Sequence, residues 1–210
     1  MAAVLAHEIK TPLTSIKMNA DILDEILDLK AAEKTSFSII QKEINRLNNL
    51  VKDVLNFSRQ TDLVYSTFDL QKMIENITIQ VKNKLVQKNV KLISEVPSIQ
   101  IEADEEKLTQ VFLNLIDNSL DNFKVDGVIN ISSRFPQNGK KISISVEDNG
   151  GSNLDPKKIF EPFFTSKASG TGLGLSISQK IINQHQGNII LQESNREKTV
   201  FRIDLPLKRS

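Results

Sequence analysis

LAHEIKTPL, residues Leu5 to Leu13, reads as helix, and the chain is organised outward from it. Leu5, Ile9, Leu13, Ile16, Ala20, Leu23 and Leu27 then fall at steps of three and four and form one continuous apolar stripe. His7 lies two residues from both Leu5 and Ile9, about 200° around the helix from that stripe, so it faces outward. Thr11 is four residues on and shares its face, Glu8 is adjacent, and Pro12 deletes a backbone donor and bends the helix one turn beyond. Taken alone, His7 reads as an ordinary polar residue of a helix surface. Proline well inside a helix costs about 3 kcal/mol, an odd placement unless the bend serves something. An outward imidazole with a carboxylate beside it and a hydroxyl one turn below is a reactive arrangement that helix packing does not require.

HEIKTPLTSI resembles the phosphoacceptor segment of sensor histidine kinases, in which histidine, an acid, a basic residue, threonine or asparagine, and proline follow in this order. The resemblance requires an ATP site downstream.

Composition sets the outer limits. A chain of 210 residues, a quarter of them charged, can bury one or two modest cores. Basic and acidic residues number 27 and 26, so nothing points to nucleic acid or an anionic membrane as the main partner. The absence of cysteine excludes disulfides and thiolate metal sites and fits a reducing compartment, so a cytoplasmic location is expected. No run reaches the roughly 18 apolar residues of a membrane span, and no signal-peptide pattern opens the chain. With the histidine almost at residue 1, the expectation is the cytoplasmic core of a longer or membrane-anchored sensor, whose membrane segments are absent from this chain.

The first helix is expected from about Ala2 to Leu29. From Met18 it gains a second stripe, Met18, Ile22, Ile26 and Leu29, on the face that carries His7 higher up. A polar turn, Lys30 to Thr35, leads to a second helix ending near Arg59, with Phe37, Ile40, Ile44, Leu47, Val51, Val54 and Ser58 in a three-four rhythm. Two antiparallel helices cannot cover this much apolar surface alone. A homodimer forming a four-helix bundle can, and it is preferred to a hairpin packed only on the following domain.

Residues 60–67 lack periodicity and are the expected linker, between a hairpin of residues 1–60 and a second domain of residues 68–210. There Leu70, Ile74, Ile77, Val81 and Leu85 mark a helix, and 90–96 and 98–102 mark strands separated by Pro97. A helix follows from Glu105 to about Asn122. Residues 128–134 and 141–147 alternate as a hairpin's strands, with Gln137-Asn138-Gly139 as its turn. A helix at 175–185 and strands at 188–193 and 199–205 close the domain. The class is α+β: a helical hairpin, then an α/β sandwich with one mixed sheet.

Four segments of this domain converge on one chemistry. Asn114, Asn118 and Asn122 are spaced by four, so their amides line one face of a helix in which asparagine is a poor former. An amide oxygen is a suitable hard ligand for Mg²⁺. VEDNGG, residues 146–151, is a strand ending in an acid and then glycines. A carboxylate there can accept from an exocyclic amine, and Gly150 lets a flat base approach the backbone, although Asp-Asn-Gly is also a common turn. IFEPFFTSK, residues 159–167, holds three of the ten phenylalanines and reads as a hydrophobic plug in preference to a ligand stack. GTGLGL, residues 170–175, opens a helix whose N-terminus and glycine N–H groups suit phosphates. It does not follow a strand in a βαβ unit, which excludes the dinucleotide fold.

Together these segments resemble the ATP-binding domain shared by histidine kinases, gyrase-type topoisomerases, mismatch-repair ATPases and heat-shock chaperones. IFEPFFTSK followed closely by GTGLGLSISQKIINQHQG is especially similar to the histidine kinases. The resemblance implies that Asn118 is the Mg²⁺ ligand and Asn114 supports it. It implies that Asp148 holds the adenine amine, that Gly150 makes room for the base, and that Gly170, Thr171, Gly172, Leu173 and Gly174 bound the mobile lid and cradle the phosphates. There are three departures from the family pattern. Ser152 replaces a usual second glycine, which bears on the lid's hinge. Asp121 and Asn122 stand where many members have a lysine and an aromatic, so phosphate contact must come from elsewhere, with Lys167 the candidate. Lys198-Thr199 replaces a glycine-threonine pair.

The implied activity is ATP-dependent autophosphorylation of His7, with Glu8 fixing the imidazole tautomer, then transfer to an aspartate of a response-regulator receiver domain. Thr11 is where the family positions water to dephosphorylate that partner. Two alternatives stay open. One is an ATPase of the same fold that uses nucleotide closure mechanically or phosphorylates serine; the other is a non-enzymatic dimeric scaffold. The first predicts no acid-labile phosphohistidine and has no use for HEIKTP, and the second predicts dimerisation without turnover.

Overall fold

The computed structural model describes residues 2–26, 31–58, 62–123, 126–135, 140–165, 167 and 170–208. For residues 2–8, 10, 24–26, 31–32, 49, 52 and 56–58 it describes the backbone only. Two compact units emerge. One comprises Met1–Thr61 with Phe163–Gly174, the other Asp62–Pro162 with Leu175–Ser210.

In the first unit, α1 (Ala2–Ile26) packs along α2 (Ala31–Ser58). Pro12 lies inside α1, which remains helical on both sides of it. α2 begins at Ala31, so residues 31–35 of the expected turn are helix. Ala, Glu and Lys are good helix formers, and Glu33 in the first turn meets the positive end of the helix. Leu27, Leu29, Lys30 and Arg59 lie outside the described residues. Leu13 and Val51 form a small core with Leu47 and Leu55 packed against it, and Ala20 and Ile44 are also buried. Gln41 Nε2 donates to Asp21 Oδ1 across the pair at 3.4 Å. The apolar stripe is only partly covered: Ile9, Ile16, Leu23, Met18, Ile22, Ile39 and Ile40 remain 42–64% exposed.

The second unit is built on a five-stranded mixed sheet in the order β2-β4-β5-β7-β6. Its strands are β2 (Val90–Glu95), β4 (Gly127–Arg134), β5 (Lys141–Asp148), β6 (Asn188–Ser194) and β7 (Thr199–Pro206). Only β2 and β4 run parallel. A separate antiparallel ladder joins β1 (Ser66–Asp69) to β3 (Gln100–Ala103), so the aperiodic stretch ends before Ser66 and β3 leaves the main sheet. Residues 96–99 are not strand. The Ile99 carbonyl accepts from Leu70 N at 2.9 Å and Ser98 donates to Asp69, which ties them to the start of α3. The expected turn at 137–139 lies outside the described residues.

Three helices complete this unit: α3 (Leu70–Gln87), α4 (Glu105–Asn122) and α5 (Gly174–Gln184). Asp69 and Asp104 cap α3 and α4 by accepting from the third N–H beyond, at 3.1 and 3.0 Å. Leu70, Met73, Ile74, Ile77 and Val81 on α3 and Leu108, Val111, Phe112, Leu115 and Ile116 on α4 are essentially fully buried. Alternation on β5 puts Ile142, Ile144, Val146 and Asp148 on its buried side. The acid at the end of the strand therefore points into the core layer rather than to water.

Candidate functional site

Asp148 is 2% exposed. Ser119 Oγ on α4 donates to its Oδ2 at 2.8 Å, and Gly150 N donates to Oδ1 at 3.1 Å. Burial pushes its carboxyl above the ordinary aspartate range, while hydrogen bonds from Ser119, Gly150 N–H, Asn122 and Gly151 N–H pull it back. All four partners donate, which favours the carboxylate and holds it in one orientation. A buried carboxylate so oriented is equipped to accept from an amino group of a planar ligand.

The asparagine row divides its work. Asn114 Nδ2 donates to Ser178 Oγ on α5 at 2.9 Å, joining the two helices that flank the site. Asn122 hydrogen-bonds Asp148 and so acts through that carboxylate. Asn118 lies on the same face between them, half-buried. Among the described residues no group of His, Asp and Glu could hold a metal. A hard cation here would rest on an amide oxygen together with the ligand's own phosphates.

Gly150 lies close against side chains of its own unit. A Cβ there would lie 2.9 Å from the Phe123 ring and 3.0 Å from Asn122 Cβ. Phe123 also fills the space over Gly127, where a Cβ would meet the ring at 2.5 Å. The left-handed backbone falls one residue later, at Gly151 (φ +64°), whose missing side chain leaves room for the Arg196 carbonyl. Motif reading singles out neither Ser119 nor Phe123, and it takes Gly151 only as the last residue of VEDNGG. One signal was available: Ser119 is a polar residue four and three positions from the buried Leu115 and Ile116, hence on the apolar face of α4.

The departures have local partners. Asp121 is exposed near the end of α4, where Lys88 Nζ donates to the Leu120 and Phe123 carbonyls at 2.6 and 3.3 Å and closes the helix terminus. Lys198 pairs with Glu193 at 2.8 Å, and Thr199 is buried opposite Asp148 in the β5–β7 ladder. In the aromatic segment Ile159 is buried and Phe160 packs edge-on against Phe201, 6.4 Å between centroids, as a plug should. Phe163 and Phe164 are exposed, so the plug is confined to its first half.

Lys167, Gly170, Thr171, Gly172, Leu173 and Gly174 belong to the first unit. Phe163 and Gly172 both have φ +68°, and Phe163 N donates to Gly172 O at 2.9 Å, closing the neck of a loop. A Cβ on Gly172 would lie 2.4 Å from the Phe163 carbonyl carbon, and one on Gly170 2.5 Å from Thr165 Oγ1. Thr171 Oγ1 donates to Asp53 Oδ2 of α2 at 2.8 Å. Leu173 is fully buried, so its side chain serves packing, and Gly174 opens α5 as expected. His7 and Glu8 lie on α1, their side chains outside the described set, and Thr11 is exposed one turn on. The structure thus gathers Asn114, Asn118, Asn122, Asp148 and Gly150 in one unit. The glycine-rich segment and the histidine helix are in the other.

Comparison with known proteins groups the glycine-rich segment with the asparagine row and Asp148, and the histidine helix apart from them. Residues 103–209 match the family described as histidine kinase-, DNA gyrase B-, and HSP90-like ATPase, and residues 1–63 match the His Kinase A (phospho-acceptor) domain. The signal transduction histidine-protein kinase AtoS of Escherichia coli (strain K12) is 37% identical over 99% of this chain and 34% of its own length. The chain spans between about a third and a half of the length of such curated relatives. The crystal structure of the histidine kinase ThkA in complex with the response regulator protein TrrA aligns with 99% of this chain and 61% of its own, at 31% identity and TM-score 0.74. Full-length ShkA in complex with AMPPNP shares the fold over 100% of this chain and 46% of its own, at 24% identity and TM-score 0.81. No helix among the described residues is long and apolar enough to cross a membrane. The chain belongs to the histidine kinase family, with a phospho-acceptor helical hairpin followed by an ATPase unit of the histidine kinase, gyrase B and HSP90-like type.

Proposed function

We propose that this chain is the catalytic core of a sensor histidine kinase that phosphorylates itself on His7 and passes the phosphoryl group to an aspartate of a response-regulator receiver domain. The carrying observation is the buried Asp148, held entirely by donors beside the asparagine row, in a chain whose first helix bears HEIKTP. That ThkA is found in complex with a response regulator supports the receiver as partner.

Asp148 accepts from the adenine amine, and Gly150, shaped by Phe123, lets the base lie against the backbone. The glycines at 172 and 174 present N–H groups, and Gly174 the start of α5, to the phosphates, while the Gly170 N–H donates to the Lys167 carbonyl at 3.2 Å. Lys167 adds a cation there. Asn118 is the residue to hold Mg²⁺, which when bound neutralises phosphate charge, and Asn114 keeps α4 braced on α5 through Ser178. A neutral imidazole, with a reference pKa near ~6.5, is abundant at cytoplasmic pH. Its free nitrogen bonds to the γ-phosphorus as the bond to the β–γ bridging oxygen breaks and ADP departs. Glu8 accepts the other ring N–H, fixing the tautomer and balancing the imidazolium charge. Most of the acceleration comes from placing that nitrogen in line with the γ-phosphoryl group. Thr11, one turn below, positions water to hydrolyse the aspartyl phosphate of the partner, which releases inorganic phosphate and restores the carboxylate.

The active form is a homodimer. Ile9, Ile16, Met18, Ile22, Leu23, Ile39 and Ile40 on α1 and α2 are exposed among the described residues, and burying one such side chain contributes about 1.5–3 kcal/mol. A second hairpin completing a four-helix bundle covers them. The test is Asn118→Ala assayed with ATP and Mg²⁺. Loss of γ-phosphate incorporation with the fold intact is expected, and unchanged turnover would contradict the site.

A further inference from the structure

The serine at position 152, where a glycine hinge is usual, lies at the end of a short excursion from the sheet. The chain leaves β5 at Asp148, which pairs with Thr199 in the β5–β7 ladder. Asn149 is held to β4 in both directions, donating to the Val128 carbonyl at 3.2 Å and accepting from Val128 N at 2.8 Å. After Gly150 and Gly151 the chain returns to the same Thr199: Ser152 Oγ lies 2.7 Å from Thr199 Oγ1. Ser152 N donates to the Asn195 carbonyl at 2.7 Å, and Ser152 Oγ lies 3.2 Å from Ser194 Oγ. Ser194 Oγ donates to the Ser152 carbonyl and accepts from Leu154 N at 3.0 Å.

These bonds admit one consistent direction. The Ser194 proton is committed to the Ser152 carbonyl, so Ser194 accepts from Ser152. The Ser152 proton is then committed to Ser194, so Ser152 accepts from Thr199. Thr199 to Ser152 to Ser194 to the Ser152 carbonyl is a closed relay in which each hydroxyl donates once, and such chains reinforce one another. Thr199 is 1% exposed, so water competes little for it.

We infer that Ser152 is a positioning residue for nucleotide: with Ser194 and Thr199 it fixes the Asn149–Gly151 loop, and so Gly150, before the base arrives. This deepens the proposed function and rests on its assignment of the base to Asp148 and Gly150. A loop already held loses less conformational freedom on binding, so its loosening weakens affinity and mainly raises the off-rate.

The experiment measures ADP affinity, kcat and KM for ATP, and amide exchange over residues 149–154 in the whole chain, comparing wild type, Ser152→Ala and Ser152→Thr. Expected for Ser152→Ala are an affinity about five-fold weaker, the factor of about one net hydrogen bond, faster exchange, a raised KM and kcat within two-fold. Ser152→Thr, which keeps the hydroxyl, restores affinity. Should Ser152→Ala not fold, Ser194→Ala removes the relay from the other side and carries the same expectations. Wild-type ADP binding undiminished in the alanine variant overturns this proposal alone, as does a fall in kcat at unchanged affinity. Failure of the wild type to bind ADP overturns the nucleotide assignment and this proposal with it.

Discussion

Gly151→Ala is expected to be the most damaging single-methyl change in the nucleotide loop. The backbone there has φ +64°, and placing an L-residue in the left-handed region costs about 1–2 kcal/mol. The new Cβ would lie 2.2 Å from the Arg196 carbonyl oxygen, against the 3.4 Å or more of ordinary contact, so one side must move by about 1 Å. Neither side is loose. Asn195, next to Arg196, accepts from Ser152 N at 2.7 Å, from Glu197 N at 2.8 Å and from Lys198 N at 3.0 Å. Losing one or two of these adds about 1–2 kcal/mol, and the reduced freedom of the unfolded chain returns about 0.4–1 kcal/mol. The net loss is about 2–3 kcal/mol, a fall in melting temperature of roughly 10 °C for a domain of this size. Gly150→Ala is the control. Its Cβ meets the edge of the Phe123 ring at 2.9 Å, with φ outside the left-handed region, and a tilt of the ring relieves it. Thermal unfolding with and without ADP decides the matter. If Gly151→Ala melts within about 2 °C of wild type, or no lower than Gly150→Ala, the loop geometry has been misread.

Other consequences are equally open to measurement. Burial holds the Asp148 carboxyl above its ordinary value of 3.8, so ADP affinity should fall as pH drops through that raised value, while this group's effect on apo stability runs the other way, rising over the same window. Asp148→Asn should weaken ADP binding by roughly 10-fold or more and abolish that pH dependence, as titration calorimetry across pH would reveal. His185 is buried and neutral, donating to the Ile181 carbonyl and accepting from Asp104 N at 3.0 Å, with its pKa lowered by burial. The unfolded chain takes up a proton near pH 6.5 that the fold resists, so melting temperature should fall as pH drops below about 6.5 and level off beneath the lowered folded value. His185→Gln should flatten that slope. Charge on the exposed hairpin faces, as in Ile16→Glu with Ile22→Glu, should convert a dimer to monomer in sedimentation without shifting the melt of the sheet domain. A persistent dimer would place the interface elsewhere.

What could be read from the chain depended on the range of the interactions involved. Periods of 3.6 and 2 are local, so α4 was legible to the residue and the β strands to within one or two positions. The ladder between β1 and β3 was not, because it pairs residues more than thirty apart and Ser66–Asp69 carries no alternation of its own. Pro97 marked a break, but that Val96–Ile99 would dock on the start of α3 depends on Asp69 and Leu70, which nothing local connects to it. The acid, the asparagine row and Gly150 were legible as motifs. Their supports were not: Ser119 and Phe123 act only once α4 lies against the end of β5, and the strain sits on Gly151 because Arg196 arrives from the far end of the chain. Ser152 shows the same limit. By sequence it was a missing glycine, and only the fold supplies Ser194 and Thr199 as its partners.

As a histidine kinase core, this chain transfers a phosphoryl group to its own histidine. Incubation of wild type and His7→Gln with γ-labelled ATP and Mg²⁺ tests it directly. Acid-labile, base-stable label on the wild type and none on His7→Gln is the predicted result. Equal label on the variant, or acid-stable label on either protein, would contradict it.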